Sequence, residues 1–195
     1  MKRKWKLWMI AFVVFVMTDI MMQSNRAEAK KRTFTVSSKT IPCSSSYRQK
    51  PYYNKKTKQY YMINSYMRRL STTGGTLKLK KGTYKIPGTI YVPSNVKIVC
   101  ANGVKIKKTK ATGTKKVKST KFLFQMISEE KASGKQNTGK YAASKNASIQ
   151  GNGKVIFDMG NVNGATAVFV GHASGITVSG VRFRNKKGGS YIWIE

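Results

Sequence analysis

The sequence predicts an all-β chain wound as a solenoid of short strands, and three observations carry that expectation. Between Gly74 and Lys107, five short runs alternate apolar and polar residues: Thr76 to Leu79, Thr83 to Ile86, Thr89 to Val92, Val96 to Val99 and Val104 to Lys107. Alternation with period two puts one set of side chains on one face of a strand. Between the runs stand Lys81-Gly82, Pro87-Gly88, Pro93-Ser94-Asn95 and Asn102-Gly103. These supply turn chemistry, a preset φ from proline or a positive φ from glycine or asparagine. Strands this short do not make a deep sandwich core. They make coils that bury an inward face against the next coil.

The third observation is repetition. Val96-Lys97-Ile98 leads to Asn102-Gly103 and Val104 to Ile106; Ala147-Ser148-Ile149 leads to Asn152-Gly153 and Val155 to Phe157. Ile176-Thr177-Val178 leads to Ser179-Gly180 and Val181 to Phe183. A second phrase alternates with the first: Phe122-Leu123-Phe124, Ala167 to Val170, and Tyr191 to Ile194. Positions 167 and 191 begin successive copies, 24 residues apart. That falls within the period of solenoid repeats, roughly 20 to 45 residues.

The elements follow in order. Met1 to Lys6 is a basic start, Leu7 to Met17 an apolar run, and Ala27-Glu28-Ala29 a small-x-small site, so residues 1–29 read as an export signal. The apolar run falls well short of the ~20 residues that span a bilayer. Residues 30–59 read as a polar lead-in. Tyr60, Ile63, Tyr66, Met67 and Leu70 recur at helical spacing and predict a short amphipathic helix. Coils fill 60–195. Ser128 to Lys145 is rich in Lys, Ser and Gly and reads as a mobile loop carrying a solvated Glu129-Glu130 pair.

Charge sets the class of partner. The chain has 38 Lys and Arg against 6 Asp and Glu, net +32. Five of the basic and two of the acidic residues precede Lys30, so 33 and 4 remain from Lys30 onward. Lysines at outward strand positions protect edges. An excess this large also attracts polyanions, with an affinity that salt weakens. Outside the cell these are uronic-acid polysaccharides, teichoic acids and other anionic wall polymers. The sequence shows no basic helix, stacking platform or nucleic-acid recognition motif, so no specific nucleic-acid partner is expected.

Cys43 and Cys100 leave two alternatives open. They bridge the lead-in to the first coils, or Cys100 is a buried small apolar residue and Cys43 is free. No Cys-x-x-Cys spacing occurs and His172 is the one histidine, so neither metal nor cofactor is expected. Glycoside hydrolysis generally uses two carboxyl groups. After Lys30 the chain offers Glu129, Glu130, Asp158 and Glu195. The catalytic candidates are Asp158, which also fits a strand-end turn, together with His172 and Glu195. Arg182 and Arg184 share one strand face and can grip a carboxylate bidentately, which makes them the ligand-binding candidates.

Gly74-Gly75-Thr76 followed by Lys81-Gly82-Thr83-Tyr84 resembles the opening of the pectate-lyase superfamily. The resemblance covers about Tyr60 to Glu195. It implies a right-handed parallel β-helix whose first coil is capped by the helix at Tyr60 to Leu70. It also implies a chain that is the N-terminal part of a longer member, incomplete at the C-terminus, because Tyr191 to Ile194 reads as the inward phrase of a coil. Gly171-His172-Ala173 resembles the Gly-His-Gly motif of polygalacturonases, whose other motifs are not present as a set. The expected function is a secreted or wall-associated protein that binds anionic polysaccharide, from a polysaccharide-degrading lineage. The alternative is a non-catalytic wall-binding module.

Overall fold

Three sheets, each wholly parallel, organise the computed structural model, which describes residues 31–134 and 142–195. The predicted export signal lies outside the described residues, as does the middle of the predicted loop. After β1 (Arg32–Val36), the chain runs through four coils of three strands. The first is β2 (Gly75–Leu79), β3 (Gly82–Ile86) and β4 (Ile90–Tyr91); the second is β5 (Val96–Cys100), β6 (Val104–Lys108) and β7 (Phe122–Gln125). The third is β8 (Ser148–Gly151), β9 (Ile156–Asp158) and β10 (Thr166–Val170); the fourth is β11 (Thr177–Ser179), β12 (Arg182–Arg184) and β13 (Ile192–Ile194). Equivalent strands stack, giving sheets in the orders β1-β2-β5-β8-β11, β12-β9-β6-β3 and β13-β10-β7-β4. This is an all-β parallel solenoid, as the two repeated phrases predict.

Register converts the sequence alternation into a core. In the first sheet Phe34, Leu77, Ile98, Ile149 and Val178 form one inward row. In the second, Tyr84, Ile106, Phe157 and Phe183 do the same, and in the third Ile90, Phe124, Val168 and Ile192. Leu77, Ile98, Ile149, Tyr84, Ile106, Phe157, Ile90, Phe124 and Val168 are all fully buried in one cluster. Each such side chain contributes ~1.5–3 kcal/mol on burial. The hydroxyl of the buried Tyr84 donates to the Lys80 carbonyl at 2.7 Å, and burial pushes its pKa up to about 12.

The repeated glycines permit the stacking at the corner between the first two sheets. A Cβ on Gly151 would lie 2.0 Å from the Gly180 carbonyl oxygen of the next coil. Gly153, at φ +81°, sits against Asn102, whose Oδ1 accepts from the Lys154 N–H at 2.8 Å. Only glycine allows this approach at these angles.

Helix α1 (Ser45–Arg48) is short, and α2 (Lys58–Leu70) is the predicted helix, begun two residues earlier. The face carrying Met62, Ile63, Met67 and Leu70 enters the same core cluster as the strands. Buried Asn64 fixes its position. Its Nδ2 donates to Thr89 O at 2.9 Å and its Oδ1 accepts from Tyr91 N at 3.0 Å, satisfying backbone at β4 that no strand satisfies on that side. β1 lies within the stretch that reads as a polar lead-in. Its Thr-Phe-Thr-Val alternation pairs residue for residue with β2.

Glu129 departs from the solvated-loop expectation, being partly buried, whereas Glu130 stays exposed as expected. They open α3 (Glu129–Ser133) and bind back to the helices. Glu129 accepts from the Tyr47 hydroxyl and lies 3.9 Å from Lys50; Glu130 lies 3.5 Å from Arg68. The Tyr47 hydroxyl on α1, Lys50 just after it and Arg68 on α2 hold the pair.

Candidate functional site

The outward positions of the sheet β12-β9-β6-β3 carry the densest charge. Their side chains alternate with the buried Tyr84–Ile106–Phe157–Phe183 row and so face away from the core. Thr83, Lys105, Ile156 and Arg182 stand in one register column, and Lys85, Lys107, Asp158 and Arg184 in the next. Neighbouring strands lie ~4.8 Å apart. Five cations and one carboxylate therefore share eight adjacent positions. Arg182 and Arg184 are exposed, two residues apart on one strand, and carry no ion pair among the described residues. A pair of guanidinium forks in that geometry can grip a carboxylate or sulfate of a passing polymer.

Asp158 holds this face together. Its side chain is only 2 % exposed and lies 2.8 Å from Lys105 Nζ. Its Oδ1 accepts from Asn185 Nδ2 at 2.8 Å and from Gly160 N at 2.9 Å. Burial alone would raise its pKa. The Lys105 ammonium, the Asn185 amide and the Gly160 N–H together outweigh burial and hold the carboxyl below the usual range. A general acid needs its proton at working pH, and this environment removes it. The Gly160 bond, two residues on, is the strand-end turn that the sequence also allows. Asp158 thus fixes Lys105 and anchors the turn after β9.

The remaining catalytic candidates lie elsewhere in the coil. His172 follows β10 in the third sheet, with a left-handed backbone at φ 52°. Its N–H donates to Glu195 O at 3.3 Å, and Glu195 N donates to Val170 O at 3.0 Å. The structure therefore brings His172 and Glu195 together after the third sheet. Asp158 and Arg184 are register neighbours at the ends of β9 and β12, within the second sheet. Both cysteines carry free thiols. Cys100 is fully buried in the first sheet, with its pKa pushed up to about 12 by burial, and Cys43 Sγ donates to Ser65 O at 3.3 Å.

Lys108 is the residue that sequence reasoning missed. It is fully buried, and its Nζ donates to Pro87 O (3.0 Å), Gly88 O (2.9 Å), Phe122 O (2.9 Å) and Thr120 Oγ1 (3.1 Å). Burial draws its pKa down to about 7. The signal was present in Val104-Lys105-Ile106-Lys107-Lys108, because strict alternation puts Lys108 on the inward side. It ties the carbonyls of the corner between the second and third sheets.

No group of three or more His, Cys, Asp or Glu among the described residues could hold a metal ion. No described helix is long and apolar enough to cross a membrane.

No family model matches the sequence, and no curated protein matches it. Among solved structures, the chain is similar to a 1,3-α-1,4-β-D-galactose-4-sulfate-3,6-anhydro-D-galactose-2-sulfate 4 galactohydrolase, at 23% identity and a TM-score of 0.48, over 63% of this chain and 26% of that one. It is also similar to an iota-carrageenase complexed to iota-carrageenan fragments, at 26% identity and a TM-score of 0.45, over 62% of this chain and 24% of that one. The chain thus spans about a quarter of the length of these structures.

Proposed function

We propose that this chain is a secreted right-handed parallel β-helix module that binds anionic polysaccharide on the outer face of the β12-β9-β6-β3 sheet. The observation that carries the reading is the register of that face, which aligns Lys85, Lys107 and Arg184 in one column and Lys105 and Arg182 in the other. A linear polyanion laid along the stack meets cations at strand spacing. Such an array gathers counterions and gives affinity that falls steeply with salt. In this reading α2 caps the first coil, which its Asn64 contacts with Thr89 and Tyr91 support. The opening residues Gly74 to Tyr84 support a place in the pectate-lyase superfamily.

Binding without turnover is the form of the function that the carboxylates favour. Asp158 is held ionised, and Glu129 and Glu130 are engaged by Tyr47, Lys50 and Arg68. None of them forms the acid-and-base pair that glycosidic cleavage uses. The purified protein is expected to stay on immobilised polygalacturonate at low salt and to elute as salt rises, while passing through immobilised amylose unretarded. It is expected to release no unsaturated or reducing ends. Equal retention on both matrices, or retention that ignores salt, would refute the binding reading. Product release above a heat-killed control, lost in Asp158→Ala, would refute the absence of turnover.

A further inference from the structure

We propose that the outer face of the sheet β13-β10-β7-β4 is a second subsite for an anionic sugar unit, where aromatic rings take the sugar ring and Lys121 takes its acid group. The inference rests on the binding reading above and adds a site to it. The inward row of this sheet is Ile90, Phe124, Val168 and Ile192, so the alternate column Tyr91, Gln125, Phe169 and Trp193 faces outward. Three of these four are large aromatics, and Phe122 joins Phe169 and Trp193. The Phe122 ring stacks on Phe169 with centroids 4.5 Å apart and planes 14° apart. Trp193 meets Phe169 edge-on at 5.6 Å and 80°. Trp193 remains 38 % exposed.

Lone surface aromatics are ordinary. Three rings in mutual contact on the outside of a sheet, separate from the Phe124–Phe157–Phe183 core stack, form a platform. The C–H face of a pyranose ring is weakly positive and packs on the negative face of a π-system. The cation is already in place: Lys121 Nζ lies 4.2 Å from the Trp193 ring centroid. Lys121 also lines an open cleft of ≈ 520 Å³ with Lys110, Ser119, Thr120 and Asn163. The cleft opens at the corner leading into this sheet. It offers two ammonium groups for a carboxylate or sulfate, and an amide and hydroxyls for sugar hydroxyls. Aromatic face, cations and neutral hydrogen-bonding groups in one place fit an acidic sugar better than a second copy of this chain, whose net charge of +32 repels its like.

Trp193 makes the test direct, because the other two tryptophans are Trp5 and Trp8. In the full chain carrying Trp5→Phe and Trp8→Phe, Trp193 emission is followed while oligogalacturonate is added. The expected result is a saturable change that maltoheptaose at equal concentration does not produce. Phe169→Ala should raise the apparent Kd about tenfold, equal to ~1.4 kcal/mol. Lys121→Met, which leaves the aromatic rings intact, should raise it severalfold and reduce its salt dependence. Arg182→Ala with Arg184→Ala should weaken retention on polygalacturonate yet preserve the Trp193 response to short oligomers. Unchanged Trp193 emission at concentrations that saturate retention would overturn the second subsite and leave the basic face standing. Loss of retention by the parent chain would overturn the reading on which it rests. A Trp193 change that follows protein concentration alone, or is produced equally by oligothymidylate, would also overturn the inference.

Discussion

The outer faces of the first and second sheets differ in kind although their inner faces match. On the first sheet the outward columns are Thr33, Thr76, Lys97, Ser148 and Thr177, then Thr35, Lys78, Val99, Gln150 and Ser179. Two cations occupy those ten positions. The second sheet places five cations and one carboxylate on eight. Both inner faces carry an unbroken apolar row. Folding constrains the inner row, because each coil must bury it against the next. Nothing in folding requires the outer row of one sheet to be basic and that of the other to be hydroxylic. Strand lysines that only kept edges soluble would spread over both faces. Their concentration on one face, braced by Asp158, is the feature from which the binding proposal starts.

Core substitutions test the equivalence of the inner rows and carry the largest expected effect. Phe157→Ala in the second sheet should cost ~3–5 kcal/mol, and Ile98→Ala in the first ~2–5 kcal/mol. Denaturant unfolding measures both, and a neutral result at either position would mean that the two rows do not share one core.

Lys108→Met removes the donor from buried carbonyls and should cost ~1–3 kcal/mol or more. The pH dependence adds a second readout. With a folded pKa of about 7 and an unfolded value of ~10.4, the unfolded chain binds more protons between those values. Stability therefore rises with pH across that window. The Met variant should lose that rise, and retention of the full slope would assign it to another group.

Asp158→Asn should cost ~1–3 kcal/mol, because Lys105 loses its partner at the base of the basic face. The Asp158 carboxyl is depressed in the folded state. Its stabilisation is present above the unfolded value of ~3.9 and is lost as pH falls through the lower folded value. The variant should flatten that acid limb. A thermal melt series from pH 5 downward checks this, and parallel curves for the two proteins would contradict it.

Much of the fold was legible because it is local. Thr76 to Leu79 and Val104 to Lys107 announce their strands by alternation, and Asn102-Gly103 announces its turn. β1 was hidden because its partner, Gly75–Leu79, lies far along the chain, and Thr-Phe-Thr-Val stands alone in polar sequence. The site was less legible. Arg182 and Arg184 showed their shared face at once. The partners of Asp158 come from two other coils, Lys105 before it and Asn185 after it, and depend on a register that sequence spacing does not fix. Glu129 and Glu130 read as loop residues because their cations, Lys50 and Arg68, lie far away along the chain. His172 and Glu195 meet through backbone atoms, which no side-chain motif encodes.

The most direct test compares two double variants that remove equal charge, Arg182→Ala with Arg184→Ala and Lys78→Ala with Lys97→Ala. Each is run on immobilised polygalacturonate over a salt gradient beside the parent chain. If the basic face binds the polymer, the arginine variant elutes at markedly lower salt, while the lysine variant from the first sheet elutes close to the parent. Equal shifts for the two pairs would contradict it, leaving net charge, and no particular face, as the source of binding.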